Sequence, residues 1–167
     1  MVAEIRKVGR GDNMASNDLP EAANVNMLMG EHAHSIDAKG RIILPADFRE
    51  KLGENFVLTK GHENCLYIYS KESWQELIKD LSEKKFSNPK VRAYERYFLA
   101  PARILECDKQ GRFLVPGTLR KHAMLEKEVV LAGMLNHVEV WSKTEWERYN
   151  DSAMASIATE SLDDIGV

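Results

Sequence analysis

Two stretches hold the residues best suited to chemistry. DAKGRIILPADFR runs from Asp37 to Arg49, and DKQGRFLVPGTLR runs from Asp108 to Arg120, seventy-one residues later. Asp, Gly, Arg, Pro and the final Arg keep their places in both. Asp first and Gly fourth are the preferences of a type I turn. Gly in the left-handed region after such a turn gives the three-residue hairpin loop with a bulge. On their own, Asp37, Gly40, Asp108 and Gly111 describe a well-made hairpin, with each Asp bonding the amides of its own turn. The arginines ask for more. Folding has no need of a guanidinium at the head of the strand in both copies. A guanidinium at Arg41 or Arg112, anchored by the Asp four residues earlier, has a fixed fork and little entropy left to lose. That suits bidentate reading of guanine O6 and N7, or the clamping of a phosphate. Lys39 and Lys109 add flanking charge, and Gln110 adds an amide able to read adenine. Arg49 and Arg120 are helix positions open to two roles, phosphate contact or internal ion pairing.

The elements around these turns repeat as well. HAHSI alternates as a strand does, DAKG turns, and RIIL is a second strand. Pro45 suits the first turn of a helix carried by ADFREKL, and Gly53 stops it. FVLTK and CLYIYS are strands around the polar turn GHEN. Ser70 is placed to cap KESWQELIKDLSEKK, with Trp74, Leu77, Ile78 and Leu81 on one face. Asn88-Pro89 opens another helix, PKVRAYERYFLA. The cycle then restarts: ARILEC, DKQG, RFLV, the short helix PGTLRKHAM, EVVLAG, HVEVW, and a helix KTEWERYNDSAMA capped by Ser142. Even SKESW and SKTEW correspond, at an offset of seventy-two, so one residue is gained between turn and cap. The chain is an internal duplication. A unit of roughly 45 residues rarely buries enough apolar surface alone. The two units should therefore pack on each other as a pseudo-two-fold pair, on neighbouring chains, or both.

Composition sets outer limits. Of the 167 residues, 44% are hydrophobic and 29% charged, a globular mixture. No apolar run approaches the roughly 20 residues that span a bilayer, and MVAEIRKVGRGDN lacks the apolar core of a secretory signal. Cys65 and Cys107 make no disulfide framework, so a reduced cytoplasmic chain is expected. Net charge is −3, which by itself suits a nucleic-acid binder poorly. Residues 27–150, however, hold 20 bases against 18 acids, because residues 1–26 carry four acids and three bases and Asp151, Glu160, Asp163 and Asp164 crowd the last seventeen positions. Any case for DNA rests on where particular cations sit.

The doubled DxxxR, with the surrounding order intact, identifies the chain as a member of the MraZ family, bacterial transcription factors built from two tandem SpoVT/AbrB-like domains. MLMGEHAHSIDAKGRIILPADFRE, LGENFVLTKGHENCLYIYSKESW, DKQGRFLVPGTLR and EKEVVLAGMLNHVEVWSKTEW carry the resemblance, from about Met27 to Tyr149. It implies a mixed β/α fold: a duplicated swapped-hairpin β-barrel, or pseudodimer, with flanking helices. The expected layout is a flexible leader over 1–26, a first domain over 29–75, connecting helices over 76–101, a second domain over 102–147, and a helix end with an acidic tail over 148–167. The resemblance further implies a ring-shaped homo-oligomer that binds direct repeats of double-stranded promoter DNA in the division and cell-wall gene cluster. Arg41 and Arg112 match its DNA-contacting positions. Lys39, Lys109 and Gln110 lie in the same turns and are expected to contribute, with Asp37, Gly40, Asp108 and Gly111 as support. Localisation is expected to be cytoplasmic and nucleoid-associated, with no cofactor and no membrane partner.

Other residues invite other chemistry. His32, His34, His62 and Cys65 are metal-ligand types, but no second Cys or His stands at zinc spacing and ARILEC, the counterpart of HAHSI, has no His. A His62–Cys65 nucleophile lacks a third group. RAYERYF mixes bases and aromatics as an RNA-binding surface does, yet at helical spacing Tyr94, Tyr97 and Phe98 form an apolar stripe. Trp74 and Trp146 read as core or interface anchors. An enzyme needs an asymmetric set of acid, base or nucleophile, and the chain offers a symmetric pair of turns. The competing reading is a protein-interaction or scaffold module of the AbrB-like type that reads no specific DNA.

Overall fold

FVLTK, CLYIYS, EVVLAG and HVEVW become the four central strands of the molecule, and their neighbours come from the opposite copy. The computed structural model describes residues 27–159, so the expected leader and the tail acids Glu160, Asp163 and Asp164 lie outside the described residues. The first copy gives β1 (Glu31–Ser35), β2 (Arg41–Ile43), α1 (Ala46–Leu52), β3 (Asn55–Lys60), β4 (Cys65–Ser70) and α2 (Lys71–Ser82). After α3 (Pro89–Leu99), the second gives β5 (Arg103–Glu106), β6 (Arg112–Leu114), α4 (Gly117–His122), β7 (Glu128–Gly133), β8 (Val138–Ser142) and α5 (Lys143–Thr159).

Six strands form one antiparallel sheet in the order β1-β7-β8-β4-β3-β5, and β2 pairs with β6 in a separate two-stranded ribbon. β1 of the first copy thus lies on β7 of the second, and β5 of the second lies on β3 of the first. The expected hairpin of HAHSI with RIIL shrinks to a single bridge, Ile36 to Ile42. Beyond it the chain leaves the sheet and crosses to the ribbon, because each arm has a better partner in the other copy. The sheet is open, with β1 and β5 at its edges.

Pairing register locates the pseudo-two-fold axis. Ile42 faces Phe113 in the ribbon, and Tyr67 faces Glu139 in the sheet. Each is paired with its own counterpart, which happens only on a dyad. The one-residue gain between copies resolves into two changes. The connection into β7 is longer than that into β3, and the turn after β7 is shorter than GHEN.

Period-two alternation sends side chains to two cores. Leu66, Ile68, Val129, Leu131, Val138 and Val140 point to one face and meet Ile42, Phe113, Phe48 and Leu119 from the ribbon, α1 and α4. Cys65, Tyr67, Tyr69, Val130 and Trp141 point to the other, where α3 lays Phe98, Tyr94 and Tyr97. Trp74 stacks on Phe98 at 5.4 Å, and Trp146 packs against Trp141 at 5.8 Å, so both tryptophans anchor helices to this second core. Fully burying a side chain such as Phe98 contributes roughly 1.5–3 kcal/mol. Caps fix the helix starts: Ser70 Oγ accepts from Ser73 N–H at 3.1 Å, and Ser142 Oγ from Glu145 N–H at 3.2 Å.

Candidate nucleic-acid interface

The ribbon is three residues long on each strand, and alternation decides what it shows. Ile42 and Phe113 are fully buried beneath it. Arg41, Ile43, Arg112 and Leu114 point outward. Arg41 pairs with Leu114, and Arg112 pairs with Ile43, so the two arginines are diagonal neighbours across the strands. Diagonal positions lie about 7–8 Å apart. Ile43 and Leu114 are 46% and 54% exposed, large values for apolar side chains at the centre of a fold.

Each arginine is held by its own turn. Gly40 N–H donates to Asp37 C=O at 2.9 Å, and Asp37 N–H donates to Arg41 C=O at 2.9 Å. Gly40 has φ +85° and Gly111 φ +76°, the left-handed geometry of the bulged loop. Asp37 Oδ1 accepts from the N–H groups of Lys39 and Arg41, both at 2.9 Å, leaving Oδ2 to accept from Arg41 Nε at 2.7 Å. Asp108 repeats this with Gln110 N–H and Arg112 N–H at 2.9 Å and Arg112 Nε at 2.8 Å. Capture through Nε leaves the terminal guanidinium nitrogens outside the bond to the aspartate. In the second copy Arg112 Nη2 also donates to Gln110 Oε1 at 3.2 Å, so Gln110 steadies the fork. The first of the bonds that lower the pKa of Asp37 is the Arg41 backbone N–H, and for Asp108 it is that of Arg112; both carboxyls lie below their ordinary value.

The two turns flank the ribbon at opposite ends, and Lys39, Lys109 and Gln110 are all exposed on them. Among the described residues, Arg49 and Arg120 do not take up the internal ion pairing that the sequence left open to them. Instead, the Arg120 guanidinium packs against Gly40, and that of Arg49 against Gly111, each across to the opposite copy. Val115 N–H donates to Gly40 C=O and Leu44 N–H to Gly111 C=O, both at 2.9 Å, closing the same exchange in the backbone. The exposed pair Ile43 and Leu114 escaped sequence reasoning. Their signal was an apolar residue repeated two places after each Arg, which reads equally well as core.

The metal-ligand types are dispersed. His32 Nε2 meets Asp47 Oδ2 at 3.2 Å, and His62 Nδ1 meets the Tyr67 hydroxyl at 3.0 Å. Cys65 is buried, and that burial, ahead of the charges of Glu139 and Glu63, pushes its thiol pKa up, away from a reactive thiolate. No helix of the described residues is long and apolar enough to cross a membrane.

A family model for the MraZ protein, described as antitoxin-like, matches the chain twice in tandem, over residues 27–97 and 98–165. The chain belongs to the MraZ family. It is 49% identical over 143 residues to "Transcriptional regulator MraZ" of Thermoanaerobacter sp. (strain X514), covering 84% of this chain and 100% of that protein. It is 48% identical over 143 residues to the protein of the same name from Caldanaerobacter subterraneus subsp. tengcongensis, with the same coverage. With that of Acetivibrio thermocellus it shares 49% identity over 136 residues, 81% of this chain and 94% of the relative. The tandem MraZ match falls on the same two copies that exchange strands.

Proposed function

We propose that the chain is a transcriptional regulator, not an enzyme, that reads double-stranded DNA with the β2–β6 ribbon. One observation carries this reading: two arginines, each fixed by an aspartate, stand side by side on the outer face of one ribbon, related by the dyad. A two-stranded antiparallel ribbon fits the major groove, where an Arg fork pairs with guanine O6 and N7. Ile43 and Leu114, beside them, are suited to thymine methyl groups. Lys39 and Lys109 supply phosphate contacts at the two ends, and Gln110 both steadies Arg112 and reaches the bases. The printed names of the relatives agree with the regulatory role.

Two arginines read few base pairs, so affinity per chain is low. A ring of chains presenting one ribbon each to phased direct repeats gains by effective concentration. The ring itself, the promoter repeats of the division and cell-wall cluster, and work in the cytoplasm on the nucleoid all belong to this reading. So does the interlaced swapped-hairpin barrel, supported by the exchange of β1, β5 and the ribbon strands between copies. The test is a salt-dependent titration of the full chain against DNA from upstream of its own gene, as the intact repeat array and as a single repeat. Tight array binding that weakens with salt is expected, with Arg41→Ala and Arg112→Ala each weakening it by about 1–3 kcal/mol while the fold stays intact. Equal, weak binding to every DNA would move the function to the scaffold role.

A further inference from the structure

A second cationic surface is built from residues outside the ribbon and its turns. Lys60 at the end of β3, Arg96 on α3, Arg103 at the head of β5, and Lys121 and His122 at the end of α4 surround an open groove of about 640 Å³. Ala100, Pro101 and Thr118 complete its wall, and no carboxylate of the described residues lines it. Among the described residues, none of Lys60, Arg96, Arg103 and Lys121 has an ion pair. Lys60 Nζ sits over the Tyr97 ring at 5.2 Å, and Arg103 Nη1 donates to the Ala102 and Ala100 carbonyls at 2.8 and 3.2 Å. These interactions place the two cations without neutralising them. The His122 pKa is depressed by its burial and then by the charge of Lys60.

The other copy shows that folding does not require this charge. By strand pairing and sequence offset, the counterparts of Lys60, Arg103, Thr118, Lys121 and His122 are Gly133, His32, Asp47, Glu50 and Lys51. There His32 pairs with Asp47, and acids accompany the bases. The same scaffold thus holds a mixed, partly paired surface in one copy and unpaired cations in the other. Like charges gathered without counter-charge repel one another, a cost that an oxyanion ligand removes.

We propose that the groove between α3, β5 and α4 is a phosphate-binding site, with Lys60, Arg96, Arg103 and Lys121 as its cations and the Thr118 hydroxyl as a further donor. The phosphate comes either from the backbone of duplex DNA engaged by the ribbon or from a free phosphorylated small molecule. The first source rests on the DNA reading above; the second does not.

The experiment uses the full chain, the exposed double variant Arg96→Gln/Lys121→Gln, and Lys60→Gln as a separate variant. Two readouts separate the sources. Without DNA, inorganic pyrophosphate is titrated and the thermal midpoint followed, since a ligand of the folded state raises it by mass action. With the repeat array, log Kd is measured against log salt. A free ligand raises the wild-type midpoint and binds the double variant about tenfold or more weakly, with the salt slope unchanged. If the groove holds duplex phosphates, the variants show a salt slope smaller by roughly 0.9 for each phosphate no longer neutralised, with sequence preference kept. Either result assigns the groove. Variants that match the wild type in both readouts overturn the proposal. Failure of the DNA reading shows separately, as loss of array preference in the wild type, and leaves the pyrophosphate readout standing.

Discussion

The guanidinium of Arg120 lies over the α-carbon of Gly40, in the opposite copy: a Cβ added to Gly40 would stand 2.7 Å from Arg120 Cζ and Nη1. Gly111 is crowded in the same way by Arg49. The final Arg of one repeat therefore seats the turn of the other, and this explains why both arginines recur with no ion pair among the described residues.

Gly40→Ala and Gly111→Ala should each be destabilising on two counts. Positive φ at a non-glycine residue costs about 1–2 kcal/mol, and the guanidinium must be displaced besides. The sum is expected near 2–3 kcal/mol, read as a fall in the urea midpoint at constant slope. A double-mutant cycle with Arg120→Ala isolates the first cause, because it removes the guanidinium and leaves the positive φ of Gly40 in place. A loss on Gly40→Ala that is the same in the Arg120→Ala background would remove the packing role of Arg120.

Acid should loosen the turns. The carboxyls of Asp37 and Asp108 titrate below their ordinary value, chiefly through the backbone N–H groups of Arg41 and Arg112. A depressed folded pKa gives stability that is full above the unfolded value, about 3.9, and lost as pH falls through the folded one. The stability gap between wild type and Asp37→Asn/Asp108→Asn should thus be constant near neutrality and shrink below about pH 4. Denaturation midpoints across the acid-to-neutral range measure it, and a gap that persists in strong acid would mean the aspartates act through shape alone.

Much of this was legible in the sequence. The turn chemistry of DAKGR and DKQGR, the caps at Ser70 and Ser142, and the stripe of Tyr94, Tyr97 and Phe98 all follow from local rules, and local rules decide them. What escaped depends on partners. Alternation says that Ile43 and Phe113 face opposite sides, but it does not say that β2 would find β6 before β1. The exposure of Ile43 and Leu114 follows from that pairing. So does the seat of Arg120 on Gly40. The basic groove is harder still, because its cations come from β3, α3, β5 and α4 and form no sequence cluster.

Charge alone should not rescue the ribbon. Arg41→Lys keeps the cation but removes Nε, the atom that Asp37 grips at 2.7 Å, and the fork with it. Array binding should weaken by about 1–3 kcal/mol, while the salt slope changes little. In the second copy Gln110→Ala frees Arg112 Nη2 and should cost less than Arg112→Lys. Electrophoretic titration at two salt concentrations separates the effects, and full binding by Arg41→Lys would reduce the arginine to a point charge.

A buried hydroxyl adds to the aromatic packing that docks α3. Thr59 is fully buried on β3, and its Oγ1 donates to the Phe98 carbonyl at 2.6 Å. Phe98 lies in the last turn of α3, where carbonyls lack helical partners. Thr59→Val keeps the volume and removes the donor, leaving the buried Phe98 carbonyl without that partner. The expected loss is about 1–3 kcal/mol in the local stability of the α3 end. Because Arg96 and Ala100 bracket that carbonyl, the same substitution should also loosen the basic groove. Hydrogen exchange resolves the two effects. Faster exchange confined to residues 95–103 places the defect at the end of α3, whereas uniform acceleration would show that Thr59 serves the sheet as a whole.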